Sequence, residues 1–419
     1  MSKDKFFGLV SLFMDLRKLV VFMIFVVLPV AVMSAEGAPV AKEAKTPHGY
    51  DYFTVRGGLN NCRLTFEKQK KARVVYLGGS ITAGKGWREL VMVDLKKRFP
   101  NTEFDFINAG IGGTGSTYHA FRFARDVLSK GPVDLLFVEA AVNDQNQPTL
   151  DSLRGMEGVV RQARQANPML DIIMLHFVDE PKIKDYNEGK MPGVIQQHEK
   201  VAEHYAVASM DLAKEVAERI KASEFTWAKD FKNLHPSPFG HELYARGIVR
   251  LFDASWKEHR LAEAKLTAHQ LPEKSLDERS YFNAKLVDIK EAKPDENWTV
   301  VPNWKPTMGS PREGFHNIPV LSSGTLGATL KLKFVGTALG LMAIAGPDAG
   351  SIEYSIDCGP MVTFDPFNAK FSPGMNLGVI KVLNGELAPG SHELVLKVGA
   401  KSNPASKGTV VRITHFMVN

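Results

Sequence analysis

The chemistry of this sequence starts at a serine. Ser80 follows the apolar run Val74-Val75-Tyr76-Leu77 across two glycines, Gly78 and Gly79. Glycines let the backbone turn sharply where a strand ends, and a serine placed there offers its hydroxyl and its N–H to a ligand. Taken alone, such a turn is more often a phosphate-binding nest or simply a turn. A serine hydroxyl attacks near neutral pH only beside a base, and an imidazole can take its proton and return it to a leaving alcohol. His235, in His235-Pro236-Ser237, is the candidate base. Two further segments carry polar groups of the right kind. Asn108-Ala109-Gly110-Ile111-Gly112-Gly113-Thr114-Gly115 is dense enough in glycine to bring backbone N–H groups close to an anion, and Ala141-Val142-Asn143-Asp144 carries a side-chain amide. Gly110, Gly112 and Gly115 keep the G-x-G-x-x-G spacing of a dinucleotide-binding turn, but they follow the second apolar run of the chain and not the first, which argues against that reading. A loop Asn by itself is usually a turn residue, and a lone His is usually structural.

A frame must bring these segments together. Short apolar runs at Arg73–Leu77, Phe104–Ile107, Asp134–Val138, Asp171–Leu175 and Ala206–Met210 alternate with helical patterns at Trp87–Arg98, Ala120–Leu128, Ser152–Ala166 and Ile195–His204. Continuously apolar strands separated by helices predict a doubly wound α/β sandwich with a parallel sheet covered on both faces. Sheets of this kind bind ligands at the carboxyl ends of their strands, where the first three segments fall.

In this order and at these strand ends, four blocks resemble the GDSL/SGNH hydrolase family: Gly79-Ser80-Ile81-Thr82, Asn108–Gly113, Asn143-Asp144 and His235-Pro236. The resemblance covers about Arg73 to Ala245. It implies a serine esterase working through an acyl-enzyme, without metal or organic cofactor. Ser80 is then the nucleophile and His235 the general base, while the Ser80 and Gly113 N–H groups and the Asn143 amide form an oxyanion hole. Two departures stand out. Ala141 replaces the glycine that usually opens the Asn-Asp block, and Lys232 stands where the family's acid normally lies, three residues before the His. A lysine cannot accept the imidazole N–H. Asp230 could complete the triad if Phe231–Leu234 loops out; otherwise Asn233 or a backbone carbonyl orients the ring of a dyad. His241 lacks the companions of a metal site. Trp87 and Trp227 are candidate walls of the acyl pocket.

At 419 residues, 44% apolar and 23% charged, the chain is globular in composition and long enough for two domains. Lys3, Lys5, Arg17 and Lys18, the apolar run Leu19–Val32 and small residues near Ser34-Ala35 read as a signal peptide over 1–35. That implies a secreted or periplasmic protein without stable membrane insertion after cleavage. The cleavage removes four basic and two acidic residues, taking the net charge from +6 to about +4, and with no basic block present it predicts no nucleic-acid partner. Cys62 and Cys358 fall in different expected domains, which favours free, buried thiols over a bridge.

After a leader to Pro47, the hydrolase domain is expected over 48–265 and a polar linker over 266–280. An all-β antiparallel sandwich, jelly-roll-like, is expected over 281–419. There Leu330, Leu332 and Phe334 alternate with lysines; Ile352, Tyr354 and Ile356, then Leu394, Leu396 and Val398, repeat the pattern. Export and an appended sandwich resemble bacterial carbohydrate esterases, so an acetylated polysaccharide or smaller acetyl ester is the expected substrate. A lipid, aryl ester or thioester, or non-catalytic glycan binding on the same fold, are the alternatives.

Overall fold

The structure is a computed structural model that describes residues 51–257 and 264–419. The signal peptide and leader lie outside the described residues. The first half of the chain builds a six-stranded sheet from β1 (Phe53–Thr54), β2 (Lys71–Gly78), β3 (Glu103–Gly110), β4 (Leu135–Glu139), β5 (Asp171–Leu175) and β6 (Ala208–Met210). Its order is β1-β6-β5-β4-β2-β3, parallel except for the antiparallel edge strand β1. From β2 the chain moves out to β3 and then returns past β2 to β4. The carboxyl ends of β2 and β4 therefore flank a topological switch point, where connections diverge and leave a crevice.

Both sheet faces are covered, so β4 and β5 bury every side chain and β2 buries all from Val74 on, and the residues alternate between two cores. Val74, Tyr76, Leu135, Phe137, Ile173 and Leu175 join one; Val75, Leu77, Leu136, Val138, Ile172 and Met174 join the other. Four helices supply the first core: α1 (Asn60–Leu64), α3 (Trp87–Arg98), α8 (Leu212–Lys221) and α9 (Pro238–Trp256). The second is covered by α4 (Ser116–Asp126) and α5 (Thr149–Ala166). The short α2 (Ser80–Ala83) follows β2, while α6 (Glu180–Asn187) and α7 (Gly193–His204) link β5 to β6.

The C-terminal part is a sandwich of two sheets. In chain order its strands are β7 (Lys285–Asp288), β8 (Lys293–Pro294), β9 (Thr299–Trp304), β10 (Ser310–Pro311), β11 (Ile318–Ser323), β12 (Thr329–Gly336), β13 (Leu339–Ala345), β14 (Ile352–Ile356), β15 (Val362–Phe364), β16 (Met375–Asn384), β17 (Gly390–Val398) and β18 (Val411–Val418). One sheet runs β15-β14-β17-β12-β8. The other runs β10-β16-β13-β18-β11-β9, with β7 also on β18. Pairing is antiparallel apart from β10 on β16. The alternating lysines of β12 face solvent, and Leu330, Leu332 and Phe334 fill the sandwich.

The sandwich does not hang from a free tether. The polar segment before it is fastened to the hydrolase half: Thr267 N–H donates to Asn61 (2.9 Å), His269 meets Asp171 (2.7 Å), and Leu276 N–H donates to buried Glu157 (2.6 Å). Tyr281, fully buried, lies against Phe121 with ring centroids 4.9 Å apart. Trp304, Phe315, Met342, Ile344 and Met417 of the sandwich belong to the same core as α4 and α5. Cys62 is buried, whereas Cys358 is exposed, so the two thiols are free but only one is buried.

Candidate active site

Ser80 opens α2 at the carboxyl end of β2. The preceding turn needs glycine for a steric reason: a Cβ on Gly79 would stand 2.1 Å from the Asn143 Oδ1. That contact places the Asn143 side chain against the Ser80 turn from the 3-10 turn Asn143–Asn146 after β4. Beneath the turn, the Gly79 N–H donates to the Glu139 carboxylate at the end of β4 (3.2 Å). Burial pushes the Glu139 carboxyl up to about 7, against the lowering effect of that N–H.

The glycine block ends in Gly113, whose φ of +79° suits a residue without Cβ. It is stapled to the Asn block by Asp144. One Asp144 oxygen accepts from Ser116 N–H (2.9 Å) at the start of α4, and the other meets buried His198 (3.0 Å). Asp144 was legible only as part of a motif; its work is to hold two loops at one distance from Ser80. The N–H groups of Ser80 and Gly113 have no partner among the described residues.

His235 reaches the crevice from the far end of the domain. Its N–H donates to the Asn233 side chain (2.8 Å), and Ser237 then caps α9, so the imidazole is presented just before a rigid helix. Its Nε2 lies 2.7 Å from the Ser80 Oγ. Burial, and then the Arg312 guanidinium, hold the imidazole below its ordinary pKa, which favours the neutral form a base requires.

The structure does not bring Asp230 to this ring, which corrects the triad expected from the sequence. Phe231–Leu234 was expected to loop the carboxylate back, but Asp230 sits inside the turn Trp227–Phe231. There its carboxylate accepts from the Thr226 N–H (2.8 Å) and hydroxyl (3.0 Å), an Asx-type closure that directs it away from His235. No carboxylate pairs with His235 among the described residues. Trp87 is also corrected. It is fully buried among Tyr76, Phe137 and Phe177 and is core, not pocket wall. Trp227 is half-buried, stacked on Phe231, and donates to Glu180 (2.9 Å). His241 accepts from the Trp87 N–H (3.2 Å) and so caps α3.

One site residue lay outside every motif. Arg312, just after β10 in the sandwich, spreads its guanidinium over the glycine block. Its Nη1 is 2.8 Å from where a Gly113 Cβ would stand, and its Nε and Nη2 are 3.4 Å from the corresponding point on Gly112. The Ser80 Cβ lies 3.6 Å from that same point on Gly112. Nothing in Gly309-Ser310-Pro311-Arg312-Glu313-Gly314 distinguishes this arginine from a solvated turn charge.

Comparison with known proteins agrees with this arrangement. Residues 76–243 match the model of the GDSL-like lipase/acylhydrolase family. A two-domain esterase active on acetylated mannans, solved with mannopentaose, is 21% identical with a TM-score of 0.68, over 88% of this chain and 96% of that one. The same esterase solved without that ligand gives 20%, 0.69, 88% and 97%. An acetyl xylan esterase variant from Geobacillus stearothermophilus is 21% identical over 43% of this chain and 96% of its own, with a TM-score of 0.36. No curated protein matches. The two-domain likeness bears on fold, and it spans both halves. Residues 76–243, which include Ser80, Gly113, Asn143 and His235, form a GDSL-like lipase/acylhydrolase domain, and this part of the chain is a carboxylic ester hydrolase.

Proposed function

We propose that the protein removes O-acetyl groups from a carbohydrate through a Ser80-His235 dyad and an acyl-enzyme. The 2.7 Å approach of Ser80 Oγ to His235 Nε2 carries this reading. In acylation, His235 takes the hydroxyl proton as Ser80 Oγ bonds to the ester carbon. The carbonyl oxygen becomes an oxyanion, held by the Ser80 and Gly113 N–H groups and the Asn143 amide. As the intermediate collapses, the carbon–alkoxy bond breaks and His235 gives its proton to the leaving sugar hydroxyl. Water, deprotonated by His235, then releases acetate and restores Ser80.

A carbohydrate substrate is supported by the two-domain architecture shared with an esterase that acts on acetylated mannans. Export is supported by the basic and apolar leader over 1–35, and the remaining chain is divided into a hydrolase domain (48–265), linker (266–280) and sandwich (281–419). No helix among the described residues is long and apolar enough to cross a membrane. The test is turnover of 4-nitrophenyl acetate and of acetylated oligosaccharides by Ser80→Ala. Loss of at least 10³-fold in kcat with an unchanged melting temperature is expected, the residual rate coming from the remaining site. Retention of a few per cent of activity would remove Ser80 from the chemistry.

A further inference from the structure

We propose that Arg312 is a specificity-determining residue, carried by the sandwich into the hydrolase crevice to pair with a carboxylate on the substrate, so that the preferred substrate is an acetylated acidic saccharide. The inference rests on the deacetylase reading above and names its substrate class. It starts from an imbalance of charge. Several arginines that lose much of their water meet a carboxylate, as Arg88 does with Glu89 (3.1 Å), Arg98 with Asp94 (2.6 Å), Arg154 with Asp277 (3.0 Å) and Arg412 with Asp348, although buried Arg164 does not. Arg312 is half-buried, and no carboxylate pairs with it among the described residues. A desolvated guanidinium without a counter-charge is costly to hold, and its planar fork of donors matches a carboxylate with two parallel hydrogen bonds.

The backbone that carries Arg312 is also held in place. The Arg312 N–H donates to the Asn376 carbonyl (3.0 Å), fixing the residue to β16. The Phe315 N–H donates back to the Arg312 carbonyl (3.0 Å), and the Phe315 ring is driven into the core shared by both halves, lying over Gly378. An anchored turn spares the backbone ordering that binding would otherwise cost. The guanidinium shares a methyl-sized gap with Ser80, which puts a bound anion beside the scissile ester.

The placement has a catalytic consequence. The ionisable groups facing His235 are Arg312 and His241, and neither supplies negative charge. When His235 takes the serine proton, the imidazolium forms near a guanidinium with no orienting acid. A substrate carboxylate on Arg312 cancels that repulsion, so acidic substrates are favoured in turnover as well as in binding. Neutral esters leave the two positive charges facing each other.

The experiment compares full-length protein with Arg312→Gln and Arg312→Lys. The substrates are 4-nitrophenyl acetate and a matched pair of methyl glycosides, an O-acetyl hexuronide and the O-acetyl hexoside of the same configuration. The wild type should prefer the uronide by about 10–100-fold in kcat/KM, the range of a charged hydrogen-bonded contact. Arg312→Gln should bring the ratio near one, and Arg312→Lys should keep part of it. With the neutral hexoside, Arg312→Gln should also move the acid limb of the pH profile to higher pH, since a positive neighbour of His235 has gone. A folding defect would not produce that shift. An indifferent wild type, or a preference that survives Arg312→Gln, overturns the proposal. So does an equal loss on all three substrates, which would place Arg312 on the reacting carbonyl. A wild type inert toward 4-nitrophenyl acetate would instead refute the hydrolase reading beneath it.

Discussion

His235 shows how a single residue's environment sets the conditions of catalysis. An imidazole in water titrates near 6.5, but here burial and then the Arg312 charge both disfavour the imidazolium. The base form therefore persists to lower pH than it would in a free histidine. The acid limb of kcat/KM for a neutral ester should lie below ~6.5, the ordinary value for this side chain. A pH–rate profile of the free enzyme measures it, and a limb at 7 or above would mean that an unseen negative charge faces the ring. The residues of this site were legible to unequal degrees. Ser80, Gly113 and Asn143 announced themselves because each follows a strand end, and those positions follow from apolar patterning. Asp230 misled because spacing along the chain says nothing about where a carboxylate turns. Thr226, four residues upstream, offered it an N–H and a hydroxyl at closer quarters than any loop could bring it to His235.

At the scale of elements, the site is the junction of β2 and β4, and Glu139 is the residue that ties them. It ends β4, accepts from the Gly79 N–H one residue before Ser80, and leaves its Oε1 without a partner among the described residues. Burial raises this carboxyl to about 7, above its unfolded value near 4.3. The sign follows directly. The folded state binds the proton more tightly, so this group's stabilisation is full below pH ~4.3 and lost as pH rises through 7. Glu139→Gln keeps an acceptor for the Gly79 N–H without the titration. Its melting temperature relative to wild type should therefore rise between pH 5 and 8, and a constant difference across that range would show that Glu139 does not titrate there. The central strands of this sheet were readable because β4, β5 and the second half of β2 are nearly continuous apolar runs, as burial on both faces requires. The helix read as Trp87–Arg98 has those bounds in the structure. In the sandwich, β12, β14 and β17 were readable from alternation, but β13 was not, since its residues are buried on both sides. Leu339, Leu341 and Ala343 fill the sandwich, while Met342 and Ile344 join the hydrolase core. A strand serving two cores loses the period of two that marks a solvated face.

That doubly buried strand decides how the whole molecule behaves. Sequence texture divides the chain near the polar segment before β7, which suggests two units that could be parted. The packing argues otherwise, because one core runs from α4 and α5 through Tyr281, Trp304, Phe315 and Met417. Removing everything after Leu271 would uncover that face of α4 and α5. It would also strip buried Glu157 of the Leu276 and Asp277 N–H groups and the Ser280 hydroxyl, leaving it the Tyr205 hydroxyl (2.6 Å). An uncovered apolar face invites aggregation, and a buried carboxylate short of donors is costly. The truncated chain should therefore be recovered as aggregate, or as a monomer that binds an apolar dye, and not as a compact esterase. A gentler version of the same test keeps the chain whole. Tyr281→Ala removes a fully buried ring packed against Phe121 and should cost roughly 3–5 kcal/mol of unfolding free energy, the usual range for a large aromatic in a core. Denaturant unfolding of the two proteins measures the difference. A value under about 1 kcal/mol, typical of surface substitutions, would mean that the halves touch without sharing a core and that Arg312 is held over Ser80 by its own turn alone.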